Sequence, residues 1–192
     1  MVHKFTNAVL ALLLTLVAAP ALAQWTLDND ASELSFVTVK ADHVAEVHTF
    51  EVLSGSVASN GDVSISIELA SVNTLIPIRN ERMQAMLFEI DLFPEAEITS
   101  SVNMDELLAM QAGESDSMSL ELDLDMHGRV DSYTTDVIVT RTGTGVVVSS
   151  LKPIVVNAAN HDFVSGVESL REVAGLPSIS RAVPVSFTVV FD

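Results

Sequence analysis

From Ser117 to His127 the chain alternates without a fault. Met118, Leu120, Leu122, Leu124 and Met126 fall on one side, and Ser119, Glu121, Asp123, Asp125 and His127 on the other. Period two is the mark of a strand with one dry and one wet face. The same pattern runs through Asp62–Ala70, where Val63, Ile65, Ile67 and Leu69 oppose Ser64, Ser66 and Glu68. It closes the sequence in Ala182–Phe191. Weaker versions predict strands over Ser32–Lys40, Val47–Ser59, Ala96–Met104, Ser132–Thr142 and Gly145–Val156. Val47–Ser59 reads as one long strand bent or bulged at Gly55, followed by a hairpin signal at Asn60-Gly61.

One stretch breaks the rhythm. In Ser71–Pro94, Met83, Met86, Leu87 and Ile90 recur at helical spacing, Arg79 and Arg82 stand near the start, and Pro94 ends the run. A helix inserted between strands either plugs a sheet's core or covers the mouth of a cavity. Val167–Ala174 predicts a second short helix ended by Gly175, and Asp105–Gly113 at most a turn of helix.

About eight strands joined by short turns make an antiparallel sheet. The predicted class is all-β, with one or two short helical inserts. Eight half-buried strands close into a barrel just wide enough to be filled by side chains or to hold one ligand. A two-sheet sandwich buries its faces in the same way.

Composition narrows the setting. Lys4, the apolar run Ala8–Ala19 and Ala21-Leu22-Ala23 have the form of a secretory signal peptide, with cleavage expected after Ala23. Removing residues 1–23 from the 192 leaves 169, enough for one domain with a real core. The expected location is the periplasm or the exterior, with no integral membrane span after cleavage. With Lys4 gone, eight basic residues face 26 acidic ones, a net charge of −18, which argues against nucleic acid and anionic membrane surfaces as partners. There is no cysteine, so thiol catalysis, iron–sulfur clusters and thiolate zinc sites are out.

The chemistry is sparse. No G-x-S-x-G, H-E-x-x-H or phosphate-cradling glycine loop is present, and no catalytic residue is assigned. His43, His48, His127 and His161 read as hydrogen-bonded turn or surface histidines, and no metal site is assigned.

The order and spacing of several motifs resemble the YceI-like family of exported bacterial proteins. They are Trp25-Thr26-Leu27-Asp28 with Ser32 and Phe36, His48-Thr49-Phe50, Leu53-Ser54-Gly55, Ser71-Val72-Asn73-Thr74, and Arg79-Asn80-Glu81-Arg82-Met83 with Phe93-Pro94. Met126-His127-Gly128 and Ala174-Gly175-Leu176-Pro177-Ser178-Ile179-Ser180 complete the set, so the resemblance spans the mature chain. It implies an eight-stranded lipocalin-like barrel around a long apolar tunnel. It also implies an isoprenoid lipid as ligand, either a polyprenyl phosphate or an isoprenoid quinone, with no further cofactor and often a homodimer. Family members often carry a threonine–lysine pair after the His-Gly turn; here Arg129-Val130-Asp131 follows Gly128.

On that footing the expected tunnel lining is Phe36, Phe50, Leu69, Leu122, Leu124, Phe163 and Phe187, with Met86 and Phe88 from the helical stretch. Each is also what any barrel core requires. Arg79 and Arg82 are expected to hold a headgroup at the rim or to pair with nearby carboxylates. The leading expectation is a non-enzymatic carrier. The alternative is a quinone- or metal-binding redox accessory protein at the membrane.

Overall fold

The computed structural model describes Ala23–Asp192. The leader expected over residues 1–23 lies outside the described residues, apart from Ala23 itself.

The strands are β1 (Ala23–Lys40), β2 (Val44–Phe50), β3 (Leu53–Ala58), β4 (Asp62–Glu68), β5 (Val72–Asn73), β6 (Glu95–Ser101), β7 (Ser115–Met126), β8 (Arg129–Arg141), β9 (Val146–Ser150), β10 (Ile154–Asn157) and β11 (Ala182–Phe191). The helices are α1 (Pro77–Met83), α2 (Met104–Ala109) and α3 (Val164–Val173). Every strand pairing is antiparallel, and β11 pairs back onto β1, so the sheet closes. β2 and β3 run in file along β1, as β9 and β10 do along β11. Counted around the ring, that makes eight staves. The barrel, not the sandwich, is the solution.

Four departures from the pattern have physical causes. β1 is twice the predicted length because a corner hides its first half. The Asp28 carboxylate accepts from the backbone N–H groups of Asp30 and Ala31 at 2.9 and 3.3 Å, and the register shifts between Asp28 and Glu33. Trp25 and Leu27 are therefore buried without alternating in phase with Leu34 and Phe36. The long second strand breaks at Glu51-Val52 and not at Gly55. Remote side chains stitch that break: Ser71 Oγ takes both N–H groups at 3.1 Å, and Asn29 Oδ1 takes the Leu53 N–H at 2.7 Å. Gly55 instead serves close approach, since a Cβ there would sit 2.5 Å from the Ser64 carbonyl oxygen. In the third case, the segment containing Pro153, which has no N–H to pair, separates β9 from β10. Finally, there are three helices rather than one or two. Asn103 caps α2 through its side-chain oxygen to the Asp105 N–H at 3.1 Å, and Met104 and Leu107 go inward.

The connections sort by barrel end. The β3–β4 turn, α2 and the β8–β9 turn close one end. The β1–β2 turn, α1, the β7–β8 turn and α3 gather at the other. The β7–β8 turn places His127 at φ 56° and Gly128 at φ 70°, the doubly left-handed geometry of a two-residue type I′ hairpin.

Candidate functional site

Two apolar cavities occupy the barrel. The larger, about 400 Å³, lies under α1 and α3. The smaller, about 80 Å³, lies toward α2. Leu34 and Ile98 line both, so they form a waist between an upper and a lower chamber.

The helical stretch roofs the upper chamber. Pro77 opens α1 in its first turn, where a missing N–H costs nothing. α1 then widens into a π turn over Gln84–Phe88, and Glu89 ends it in a left-handed conformation at φ 51°. The wider turn changes which side chains face inward. Met83, Leu87 and Phe88 line the chamber, while Met86 is half-buried and lines neither cavity. α3 packs on this turn at Gly166, where a Cβ would lie 2.7 Å from the Met86 carbonyl oxygen. The stretch is thus a cover. Its N-terminal part, Ile76, Ile78, Arg79 and Arg82, edges the chamber while staying partly open to solvent.

An aromatic chain follows the chamber wall. Phe36 stacks on Phe50 with ring centroids 5.3 Å apart, Phe50 meets Phe88 at 5.7 Å, and Phe88 meets Phe163 edge-on at 5.8 Å. Phe163 then contacts His127 at 5.0 Å, and His127 contacts Phe93 at 4.3 Å. Such offset and edge contacts add to the energy of simple burial. They make this wall firmer than an aliphatic one.

Polar groups enter the upper chamber at one place. Glu46 Oε2 accepts from Lys40 Nζ at 2.6 Å and from Arg79 Nη1 at 2.7 Å. Arg79 Nη2 also donates to the Thr74 carbonyl at 2.6 Å, which fixes the guanidinium plane. His48 is buried and shares a 2.9 Å hydrogen bond between its Nε2 and Thr38 Oγ1. The Lys40 and Arg79 hydrogen bonds hold the Glu46 carboxyl below the usual range. Burial, helped by the Arg79 charge, pushes the His48 imidazole down, so its neutral form is favoured. Among the described residues, three buried side-chain nitrogens have no hydrogen-bond partner: His48 Nδ1, Arg79 Nε and His127 Nδ1. Buried polar atoms are normally paired. His48 and Arg79 line the upper chamber, and His127 does not.

Of the residues expected at the site, Phe36, Phe50, Phe88, Leu124, Phe163, Arg79 and Arg82 line the upper chamber. Leu122 and Phe187 line the lower one. Leu69 is wholly buried and, like Met86, lines neither. Sequence reasoning missed Lys40, Glu46 and His48. A signal for two of them existed: Phe50 was expected to point inward, and Glu46 and His48 share its face at period two. The other histidines divide. His43 is exposed, and His127 bonds Glu89 through Nε2 at 2.8 Å. His161 is wholly buried, not a surface group, and its partners are the Tyr133 hydroxyl at 3.1 Å and the Arg129 carbonyl at 3.2 Å. Among the described residues, no three or more His, Asp or Glu side chains are grouped as metal ligands. No helix among them is long and apolar enough to cross a membrane.

A family model described as the YceI-like domain matches residues 25–191. A polyisoprenoid-binding domain from Saccharophagus degradans is 35% identical, with a TM-score of 0.86 over 88% of this chain and 98% of that one. BcnA of Burkholderia cenocepacia shares the fold at 19% identity, with a TM-score of 0.66 over 85% of this chain and 98% of its own. No curated protein matches the chain. The family match over nearly all the described residues and the 35% identical domain agree with the closed barrel, and the chain belongs to the YceI-like family.

Proposed function

We propose that the barrel binds one isoprenoid lipid, with its tail in the two chambers and its headgroup at Arg79 and His48. The protein acts as a carrier or store outside the cytoplasm, without catalysing a reaction. The observation that carries this reading is the pairing of a 400 Å³ apolar chamber with the polar side chains of Arg79 and His48 on its lining. Ligand sites typically run from ~300 to 1,000 Å³ and combine an apolar wall with a few placed polar groups. A polyisoprenoid tail offers only apolar surface, and burying it yields roughly 25 cal/mol per Å². The aromatic and aliphatic wall supplies that burial. The Arg79 guanidinium supplies N–H donors for a headgroup oxygen, whether of a phosphate or a quinone, and His48 adds one in the tautomer whose Nε2 accepts from Thr38 Oγ1. The 35% identical domain that binds polyisoprenoid supports the ligand class.

Organic extraction of the purified protein followed by mass spectrometry tests this directly. The expected result is a prenyl lipid near one per chain, and its mass separates polyprenyl phosphate from quinone. A protein that is empty as purified and takes up neither added polyprenyl phosphate nor added quinone would sink the reading.

A further inference from the structure

Leu75 is the most exposed of the large apolar residues, at 84%, yet its backbone is held in a conformation that leucine rarely adopts, with φ 62°. The clamp is specific. The Leu75 N–H donates to Asn73 Oδ1 at 2.8 Å. On the preceding residue, the buried Thr74 donates its N–H to Asn80 Oδ1 at 2.9 Å and its hydroxyl to the same oxygen, while its carbonyl accepts from Arg79. The fold therefore builds a rigid loop that holds a leucine out into solvent. Backbone strain kept in place by surrounding bonds points to use at that spot. Ile76 and Ile78 continue the apolar edge, at 43% and 52% exposure, and both line the upper chamber. The exposed lip and the tunnel wall are one surface.

The charge lining this mouth departs from that of the whole molecule. The whole chain carries −17, the balance behind the expectation against anionic membrane surfaces. The charged side chains lining the chamber are Lys40, Arg79 and Arg82 against Glu46 alone, a local excess of cations. Asp42 in the β1–β2 turn, tied to Ser178, Glu51, which accepts from Asn73 Nδ2 at 2.6 Å, and Glu81 of α1 stand outside the lining.

We propose that this mouth docks on an anionic lipid bilayer, with Leu75, Ile76 and Ile78 as the inserted lip, so that the tail passes between bilayer and barrel without crossing water. The inference rests on the lipid-binding reading above. A long prenyl tail has almost no solubility in water, so a carrier that released it into solution would exchange it very slowly. An apolar lip continuous with the tunnel removes that step. Interfacial anchors of this kind place aliphatic side chains below the headgroups and cations at their level. A second copy of the chain is the poorer occupant. A two-fold contact at this mouth would set each copy's net positive lining against the other's.

Leu75→Asn is the variant of choice. The site is exposed and outside the chamber lining, and asparagine tolerates the left-handed backbone there. The first measurement is flotation with vesicles of phosphatidylcholine and phosphatidylglycerol. The second is transfer of a fluorescent prenyl lipid between vesicles, after loading both proteins from detergent. The wild type is expected to float with the vesicles, and the variant to load equally but transfer at least tenfold more slowly. A wild type that stays off the vesicles overturns the proposal, as does a variant that transfers at the wild-type rate. A dimer that the substitution dissolves overturns it too, by assigning the lip to self-association. If neither protein loads from detergent, the lipid-binding reading has failed, while flotation still decides the docking.

Discussion

Gly166 of α3 rests on Met86 so closely that a Cβ would lie 2.7 Å from the Met86 carbonyl oxygen. This contact seats α3 on the π turn and thereby sets the roof of the upper chamber. Gly166→Ala must push the two helices apart. Overpacking of this kind costs about 1–3 kcal/mol, and each kcal/mol lowers Tm by roughly 2–4 °C in a domain of this size. The expected outcome is a lower Tm by differential scanning calorimetry and faster loss of bound lipid. Gly143→Ala is the control, because nothing lies within 4 Å of a Cβ there.

Arg79 is expected to recognise the headgroup and not the tail. Its Nη1 and Nη2 each make one hydrogen bond, to Glu46 and Thr74, which leaves each a further N–H for the ligand. A hydrogen bond to a charged group contributes about 1.5–3 kcal/mol, so Arg79→Ala is expected to weaken a polyprenyl phosphate by tenfold or more. A headless hydrocarbon of equal length should bind the variant and the wild type alike. Titration calorimetry with the two ligands reads the difference; equal losses for both would mean that Arg79 only shapes the mouth.

Stability should fall with acid in a window set by His48. Its folded pKa is below the ordinary value of 6.5 because of burial, so the unfolded chain takes up the proton first. The contribution is complete above 6.5 and declines as pH falls from there toward the lowered folded value. Glu46 acts in a separate window: its depressed carboxyl contributes above the ordinary 4.5, and that contribution is lost below it. Urea melts of the wild type and His48→Phe across pH 4 to 8 (the usual range of such melts, about four units) check the assignment. The variant should show a flatter curve just below neutrality and an unchanged fall at the acid end.

Ile98 at the waist is expected to set how far a tail can reach. Ile98→Phe narrows the passage between the two chambers without adding a polar atom. Lipids extracted from the variant should then shift toward shorter prenyl chains. An unaltered chain-length distribution would show that the lower chamber holds no tail.

The parts that were legible in the sequence are those where one local rule acts alone. β4 and β7 alternate strictly because each has one dry and one wet face. The Met126-His127-Gly128 turn is readable because a type I′ hairpin needs left-handed residues. The rest depended on partners far away in sequence. Asn29 and Ser71 decide where the second stave breaks, and nothing near Glu51 announces it. That Met86 turns aside while Phe88 joins Met83 and Leu87 inside follows from a π turn that a period of 3.6 cannot foresee. His48 was overlooked because a histidine was weighed by its residue type and not by its place two positions before an inward phenylalanine.

The seam between β1 and β11 has a kinetic consequence. Leu27 pairs with Phe191 and Phe36 with Val185, so the ring is sealed by residues at opposite ends of the described chain. Such distant partners make the search for closure slow. Until β11 arrives, β1 and β9 are open edges, and the apolar inner faces of the other staves stay in water. The last stave is therefore a clasp, and everything enclosed by the barrel is enclosed when it fastens.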